Sequence, residues 1–137
     1  QVFIRGESPH DEVMRALREA EVFLQHSVVA SDGNTEGLPT AIQEAMACGL
    51  AIVSTLHAGI PEAVTPGENG LLVDEFDLDG FRESIRAMLS GEIDVAAMGR
   101  VSRARAEARY DNAQLLTRTE EILREIARDH APSATAA

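Results

Sequence analysis

Apolar residues along this chain follow two alternating rhythms. Val2-Phe3-Ile4, Val22-Phe23-Leu24 within a strand expected over Ala20 to Ser27, Ala51-Ile52-Val53-Ser54 and Leu71-Leu72-Val73 are short continuous runs with the length of buried strands. Between them, apolar positions recur at three- and four-residue steps, the period of a helix with one buried face. Val13, Met14, Leu17 and Ala20 share such a face in a helix opened by Ser8 and Pro9, whose Asp11 and Glu12 oppose the helix dipole. Pro39 and Gly49 frame a second helix of about ten residues with Ala41, Ile42, Ala45 and Met46 on one side. The turn Asn69-Gly70 leads into the last run. From Asp77 onward only helices are readable, over Leu78 to Leu89, Val95 to Arg109 and Asn112 to Arg128. Phe81, Ile85 and Met88, then Leu115, Leu116, Ile122, Leu123 and Ile126, carry their periods. Strand runs alternating with helices predict an α/β fold with a parallel sheet and flanking helices, followed by C-terminal helices.

The chain ends in Ala, Ser, Thr and Pro with nothing to bury, so the expectation is a domain over 1–129 and a disordered tail over 130–137. Because Val2-Phe3-Ile4 already reads as a strand and no Met precedes it, the domain is expected to be incomplete on its N-terminal side.

Composition narrows the function classes. A chain of 137 residues that is 45% hydrophobic fits one domain, and 4% aromatic residues without Trp require an aliphatic core. The formal net charge is −11, and all twelve basic residues are Arg. That balance opposes nucleic acid and anionic membrane surfaces, but a helix N-terminus can still hold phosphate with its backbone amides. Cys48 is alone, which excludes a disulfide framework and makes a reducing cytoplasm the default. No run approaches the ~18 apolar residues of a membrane span. No His/Cys/Asp cluster has metal-ligand spacing, so a structural metal is not expected.

The joint Glu36-Gly37-Leu38-Pro39-Thr40 is the most informative segment. It follows the strand Val22 to Leu24 and opens a helix, the place where open parallel sheets take ligands. Free amides near Thr40 and Ala41 favour a diphosphate, and Gly37 permits its close approach. Glu36 and Glu44 are eight positions apart, about 12 Å of rise if helical. Two carboxylates so separated suit hydroxyl-rich groups on either side of a diphosphate, because each accepts several O–H donors. The spacing alone fits equally a dipole-compensating acid at position 36 and a solvated helix-face charge at position 44.

Further motifs bear on that choice. Glu36-Gly37-Leu38-Pro39, Gln43-Glu44-Ala45-Met46-Ala47-Cys48-Gly49-Leu50, Ala51-Ile52-Val53-Ser54-Thr55, Gly59-Ile60-Pro61-Glu62 and Gly67-Glu68-Asn69-Gly70-Leu71-Leu72-Val73 occur in that order. Together they resemble the C-terminal nucleotide-sugar-binding domain of retaining glycosyltransferase family 4, the glycosyl transferases group 1. The resemblance runs from Val2 to Leu89 and more loosely to Arg128. It implies a Rossmann-like domain of the GT-B fold and transfer of a sugar from a nucleotide diphosphate to a hydroxyl acceptor, in polysaccharide or glycolipid synthesis. In that frame Glu36 is the catalytic-site acid near the transferred sugar and Glu44 binds the ribose. Gly37, Leu38, Pro39 and Thr40 lie along the diphosphate, where Pro39 has no N–H to give. Arg5 and Gly6 border the base. Both acids are then expected to flank one cavity.

The chain departs from the family pattern with Gln25-His26 before Ser27, and with Ala58 where a glycine is common. The family's Arg/Lys pair, which neutralises the departing diphosphate, falls upstream of this segment, as does the acceptor domain. Transfer needs that charge stabilisation, so the chain alone is expected to be inactive. The implied partners are a nucleotide-sugar donor and the N-terminal acceptor domain, in a cytoplasmic enzyme peripheral to the inner membrane face; no nucleic acid is implied. A non-catalytic binding module of the same fold and a nucleotide-sugar epimerase are the competing readings.

Among the remaining residues, His26 and His57 are expected at strand ends facing the cleft, each with an ordinary loop histidine as the competing account. His10 and His130 read as surface residues, Glu62 as the cap of a short helix, and Cys48 as an inert small hydrophobe. The run Arg100-Val101-Ser102-Arg103-Ala104-Arg105, followed by Glu107 and Asp111, reads as a solvated helix face.

Overall fold

The computed structural model describes residues 2–130; the tail expected to be disordered therefore lies outside the described residues except for His130, which caps the last helix. Three strands, β1 (Val22–Leu24), β2 (Ala51–Thr55) and β3 (Gly70–Val73), form a parallel sheet in the order β1-β2-β3. Helix α1 (His10–Glu19) precedes β1, α2 (Thr40–Ala47) joins β1 to β2, and α3 (Ile60–Ala63) joins β2 to β3. Helices α4 (Leu78–Leu89), α5 (Val95–Arg109) and α6 (Asn112–Asp129) complete the chain.

Every residue of the central strand β2 is buried, and its alternation divides the core. Ile52 faces a cluster with Leu17, Ile42, Met46, Ile60, Val64 and Ala106, supplied by α1, α2, α3 and α5. Ala51 and Val53 face Met88 and Met98 on the opposite side, with Phe81 and Ile85 of α4 packed around them. Successive strand residues point to opposite faces, so a five-residue strand serves two layers. The sheet is covered on both faces, the arrangement a parallel sheet requires.

The end of α2 is fixed by Gly49 at φ 83, where the Leu50 amide donates to the Ala45 carbonyl at 3.1 Å and the Gly49 amide to that of Met46 at 2.9 Å. This Schellman closure is why the helix stops there and turns straight into β2.

Two expectations are corrected. Val2-Phe3-Ile4 is not a strand: the segment is irregular, with Val2 90% and Ile4 95% exposed. A strand needs a neighbour for its N–H and C=O groups, and among the described residues none pairs with it. In α6 the helical period is present, but the helix buries no residue and Leu116 is 65% exposed. None of its apolar residues joins either hydrophobic cluster.

Candidate functional site

The segments leaving the carboxyl ends of β1 and β2 build the face where parallel sheets take ligands. Two buried hydroxyls at the end of β2 hold it in place. Ser54 Oγ donates to the Gln25 carbonyl at 2.7 Å and Thr55 Oγ1 to that of Ser27 at 2.5 Å. They pin the stretch beyond β1, and from there Ser27 Oγ donates to Glu36 Oε1 at 2.8 Å. Gln25 Nε2 reaches the same oxygen at 3.4 Å.

Glu36 is therefore not a dipole-compensating helix acid. It lies in the loop ahead of α2, with its carboxylate engaged by Ser27 and Gln25, so only Glu44 of the two acids is helical. The start of α2 has no side-chain cap at Pro39 and no acid in its first turn. The amides of Ile42 and Gln43 both return to the Pro39 carbonyl, at 3.1 and 3.3 Å. Those of Thr40 and Ala41 precede the first such bond and point off the open end. By contrast, α4, α5 and α6 each open on an aspartate, Asp77, Asp94 or Asp111, that accepts from a first-turn amide.

Around this end, Gly37 and Thr40 are exposed, Leu38 is half-buried and Pro39 is buried. Leu38 lies against Gly59, where a Cβ would come within 3.1 Å of the Leu38 nitrogen. Ala58 adopts φ 45, a left-handed conformation that costs an L-residue roughly 1 kcal/mol and that glycine would accept freely.

Glu44 is half-buried, and its Oε1 lies 4.0 Å from Nε2 of His10 at the start of α1. It thus faces the segment that follows Gly6, itself at φ 68. Arg5 is placed elsewhere: it borders a hollow of about 280 Å³ with Glu12, Arg15 and Glu19 of α1. A groove of about 400 Å³ is bordered by Thr40, Gln43 and Glu44 and runs on to Tyr110 and Asp111. Burial pushes the Tyr110 hydroxyl above its ordinary pKa.

Glu36 is not a wall of that groove, which corrects the expectation of one cavity flanked by both acids. The reason is local. Glu36 is drawn toward the end of β1 by Ser27, while Glu44 sits a turn along α2 toward α1. The acids flank an open helix end instead of lining an enclosed pocket. A larger hollow of about 570 Å³, bordered by Glu21, Gly49, Gly99 and Arg100, lies at the opposite, amino ends of β1 and β2.

The histidines differ from the sequence expectation. His57 is 1% exposed and lies beneath the surface, its Nδ1 2.7 Å from Glu75 Oε1 and its Nε2 3.1 Å from Thr35 Oγ1. His26 packs edge-on against Phe81 at 5.2 Å, with its Nε2 buried and unpartnered. His10 and His130 are at the surface, and Cys48 is half-buried against the larger core. Glu62 stands in the first turn of the expected short helix, α3, but makes no capping hydrogen bond.

Arg105 corrects the solvated-face reading of the arginine run. It reaches Thr65 Oγ1 at 2.8 Å, Asn69 Oδ1 at 3.1 Å and Glu68 Oε2 at 2.8 Å, with its side chain 18% exposed. Arg103 does lie on the exposed face, pairing with Glu107 at 2.7 Å, and also donates to the Ala47 carbonyl. Asn69 was legible as a turn residue but not as the hub that ties Thr65, Ala63 and Arg105 together, and Glu75 carried no local signal, because Arg105 and Val29 lie far along the chain from them.

Among the described residues no helix is long and apolar enough to cross a membrane, and no group of three or more His, Cys, Asp or Glu is placed to hold a metal ion.

Comparison with known proteins agrees with this architecture. The family model for glycosyl transferases group 1 matches residues 1–105. The amylovoran biosynthesis glycosyltransferase AmsK of Erwinia amylovora is 37% identical over 122 residues, 89% of this chain and 30% of that protein. The putative colanic acid biosynthesis glycosyltransferase WcaL of Escherichia coli is 42% identical over 114 residues, 82% of this chain and 28% of that protein. The chain thus spans about 30% of the length of such relatives. The fold is shared with sucrose-phosphate synthase of Thermosynechococcus elongatus (TM-score 0.77, 22% identity, 91% of this chain and 30% of that one). It is shared as well with HepE of Anabaena in complex with UDP (TM-score 0.72, 22% identity, 81% of this chain and 29% of that one). On this ground the chain belongs to the glycosyl transferases group 1 family.

Proposed function

We propose that the chain supplies the donor-binding part of a retaining glycosyltransferase, which takes a sugar from a nucleoside diphosphate and passes it to a hydroxyl of a growing polysaccharide. The observation that carries this reading is the bare start of α2. α4, α5 and α6 close their first turns with aspartate caps, and the uncapped α1 and α3 carry acids in theirs, while α2 has neither and offers the Thr40 and Ala41 amides to an outside acceptor. A diphosphate satisfies those amides and the positive end of the dipole together. Glu36, on the strand side, accepts from hydroxyls of the sugar; Glu44, on the α1 side, accepts from the ribose, with Gly6 toward the base. That Anabaena HepE was solved with UDP and with UDP-glucose supports a donor of this chemical class. The names of the amylovoran and colanic acid relatives support an acceptor in exopolysaccharide assembly.

Donor binding, not transfer, is what this chain does by itself, on cytoplasmic-side chemistry that needs no metal or cofactor. The acceptor-binding domain and the cations that stabilise the leaving diphosphate are supplied by the rest of the enzyme, which meets the membrane peripherally. Calorimetric titration with UDP and GDP tests the reading. One of the two should bind with a dissociation constant of about 1 mM or somewhat tighter, near −4 kcal/mol. Glu44→Ala should reduce that binding at least tenfold. Failure of the folded chain to bind either nucleotide, or equal binding by Glu44→Ala, contradicts the proposal and favours an interaction module.

A further inference from the structure

We propose that His57 and Glu75 are a positioning pair, clamping the loop of residues 29–36 at both ends and thereby fixing the Glu36 carboxylate. This rests on the reading of Glu36 as the sugar-side acid. The loop is exposed over residues 29–37, its apolar Val29 and Ala30 included, so no buried apolar side chain anchors it. Its entry and exit are instead tied to one carboxylate. Glu75 Oε2 accepts from the Val29 amide at 2.8 Å, and Glu75 Oε1 lies 2.7 Å from His57 Nδ1. The other ring nitrogen, Nε2, lies 3.1 Å from Thr35 Oγ1, and Thr35 immediately precedes Glu36.

The pair is built rigidly. The His57 ring is 1% exposed, with both nitrogens partnered, as a buried imidazole requires. Glu75 lies two residues beyond the end of β3 and precedes Phe76, which holds φ 66, a strained conformation for an aromatic residue. The His57 hydrogen bond, then the Val29 amide, keep the Glu75 carboxyl below its ordinary pKa, so it remains an ionised acceptor for both partners near neutrality. Loss of this carboxylate frees both ends of the loop, yet removes nothing from either hydrophobic cluster.

The experiment compares the full chain with Glu75→Ala and Glu75→Gln. Amide hydrogen exchange should rise at least tenfold at residues 29–36 in Glu75→Ala and stay near the original in the core strands. Glu75→Gln keeps one oxygen to accept from the Val29 amide and can donate its NH2 to His57 Nδ1 in the other ring tautomer, so it should recover a good part of the protection. Affinity for UDP-glucose should fall about threefold or more in Glu75→Ala while affinity for UDP is unchanged, because Glu36 meets only the sugar. Unchanged exchange at 29–36, or equal losses for UDP and UDP-glucose, overturns the clamp. Where the original chain binds GDP in place of UDP, GDP and GDP-mannose serve as the pair; if it binds neither UDP nor GDP, the functional reading fails and the exchange result alone decides for or against the clamp.

Discussion

Replacing Gly99 by alanine is expected to destabilise the chain by about 3 kcal/mol, although the same change at most helix positions gains close to 1 kcal/mol from propensity. Gly99 lies in the body of α5 and is buried against the turn that ends α2. A Cβ at this position would overlap the Gly49 carbonyl oxygen and crowd its carbon at 3.1 Å. Neither atom can step aside, because the Gly49 backbone is committed to the Schellman closure that feeds β2. Backbone meeting backbone must move α5 off α2, and with it Met98 and Ala106, which belong to different clusters. Thermal unfolding should show a loss of roughly 10 °C. A raised melting temperature would mean that helix propensity dominates and that α2 and α5 do not meet so closely.

Asn69→Ala carries the second large expected loss, about 2–4 kcal/mol, from unpaired groups more than from lost volume. Asn69 is fully buried at the turn before β3. Its Oδ1 accepts from the Thr65 amide at 2.8 Å and from Arg105 at 3.1 Å, and its Nδ2 donates to the Ala63 carbonyl at 3.2 Å. Truncation leaves the Thr65 amide without an acceptor and removes one acceptor from the half-buried Arg105. Asn69→Asp keeps the acceptor for the Thr65 amide and Arg105 but turns an acceptor oxygen, in place of a donor, toward the Ala63 carbonyl; with Arg105 beside it to compensate the charge, it should still cost less than alanine in a denaturant titration. Equal costs for the two variants would show that the oxygen is not what the site needs.

These two residues mark where the sequence was legible and where it was not. The bounds of α4 and α5 agree with their sequence reading because each begins at an aspartate cap and has a long run in one conformation. Gly49 was readable as a helix stop because only a residue free to reach positive φ ends a helix that way. Glu36, Glu44 and the open end of α2 were legible through spacing and family resemblance. The roles of Asn69, Arg105, His57 and Glu75 were not. Each has at least one partner far along the chain, from 18 residues for His57 and Glu75 to 46 for Glu75 and Val29, brought close only by the β-α-β crossovers, and no local periodicity reports such pairs. The same logic explains the failed strand at Val2-Phe3-Ile4: its composition is right, but pairing is a property of a neighbour. It also explains why the two acids do not share a cavity, since Ser27 sets the direction of Glu36 from outside the motif that named it.

The most direct test of the account follows backbone amide resonances while UDP or GDP is added to the isotopically labelled chain. Thr40 and Ala41 should show the largest shifts, followed by Gly37 and Leu38, with the hollow at Glu21 and Gly99 unmoved. Shifts concentrated at that hollow, or spread without reaching the start of α2, would contradict the claim that this helix end holds the diphosphate.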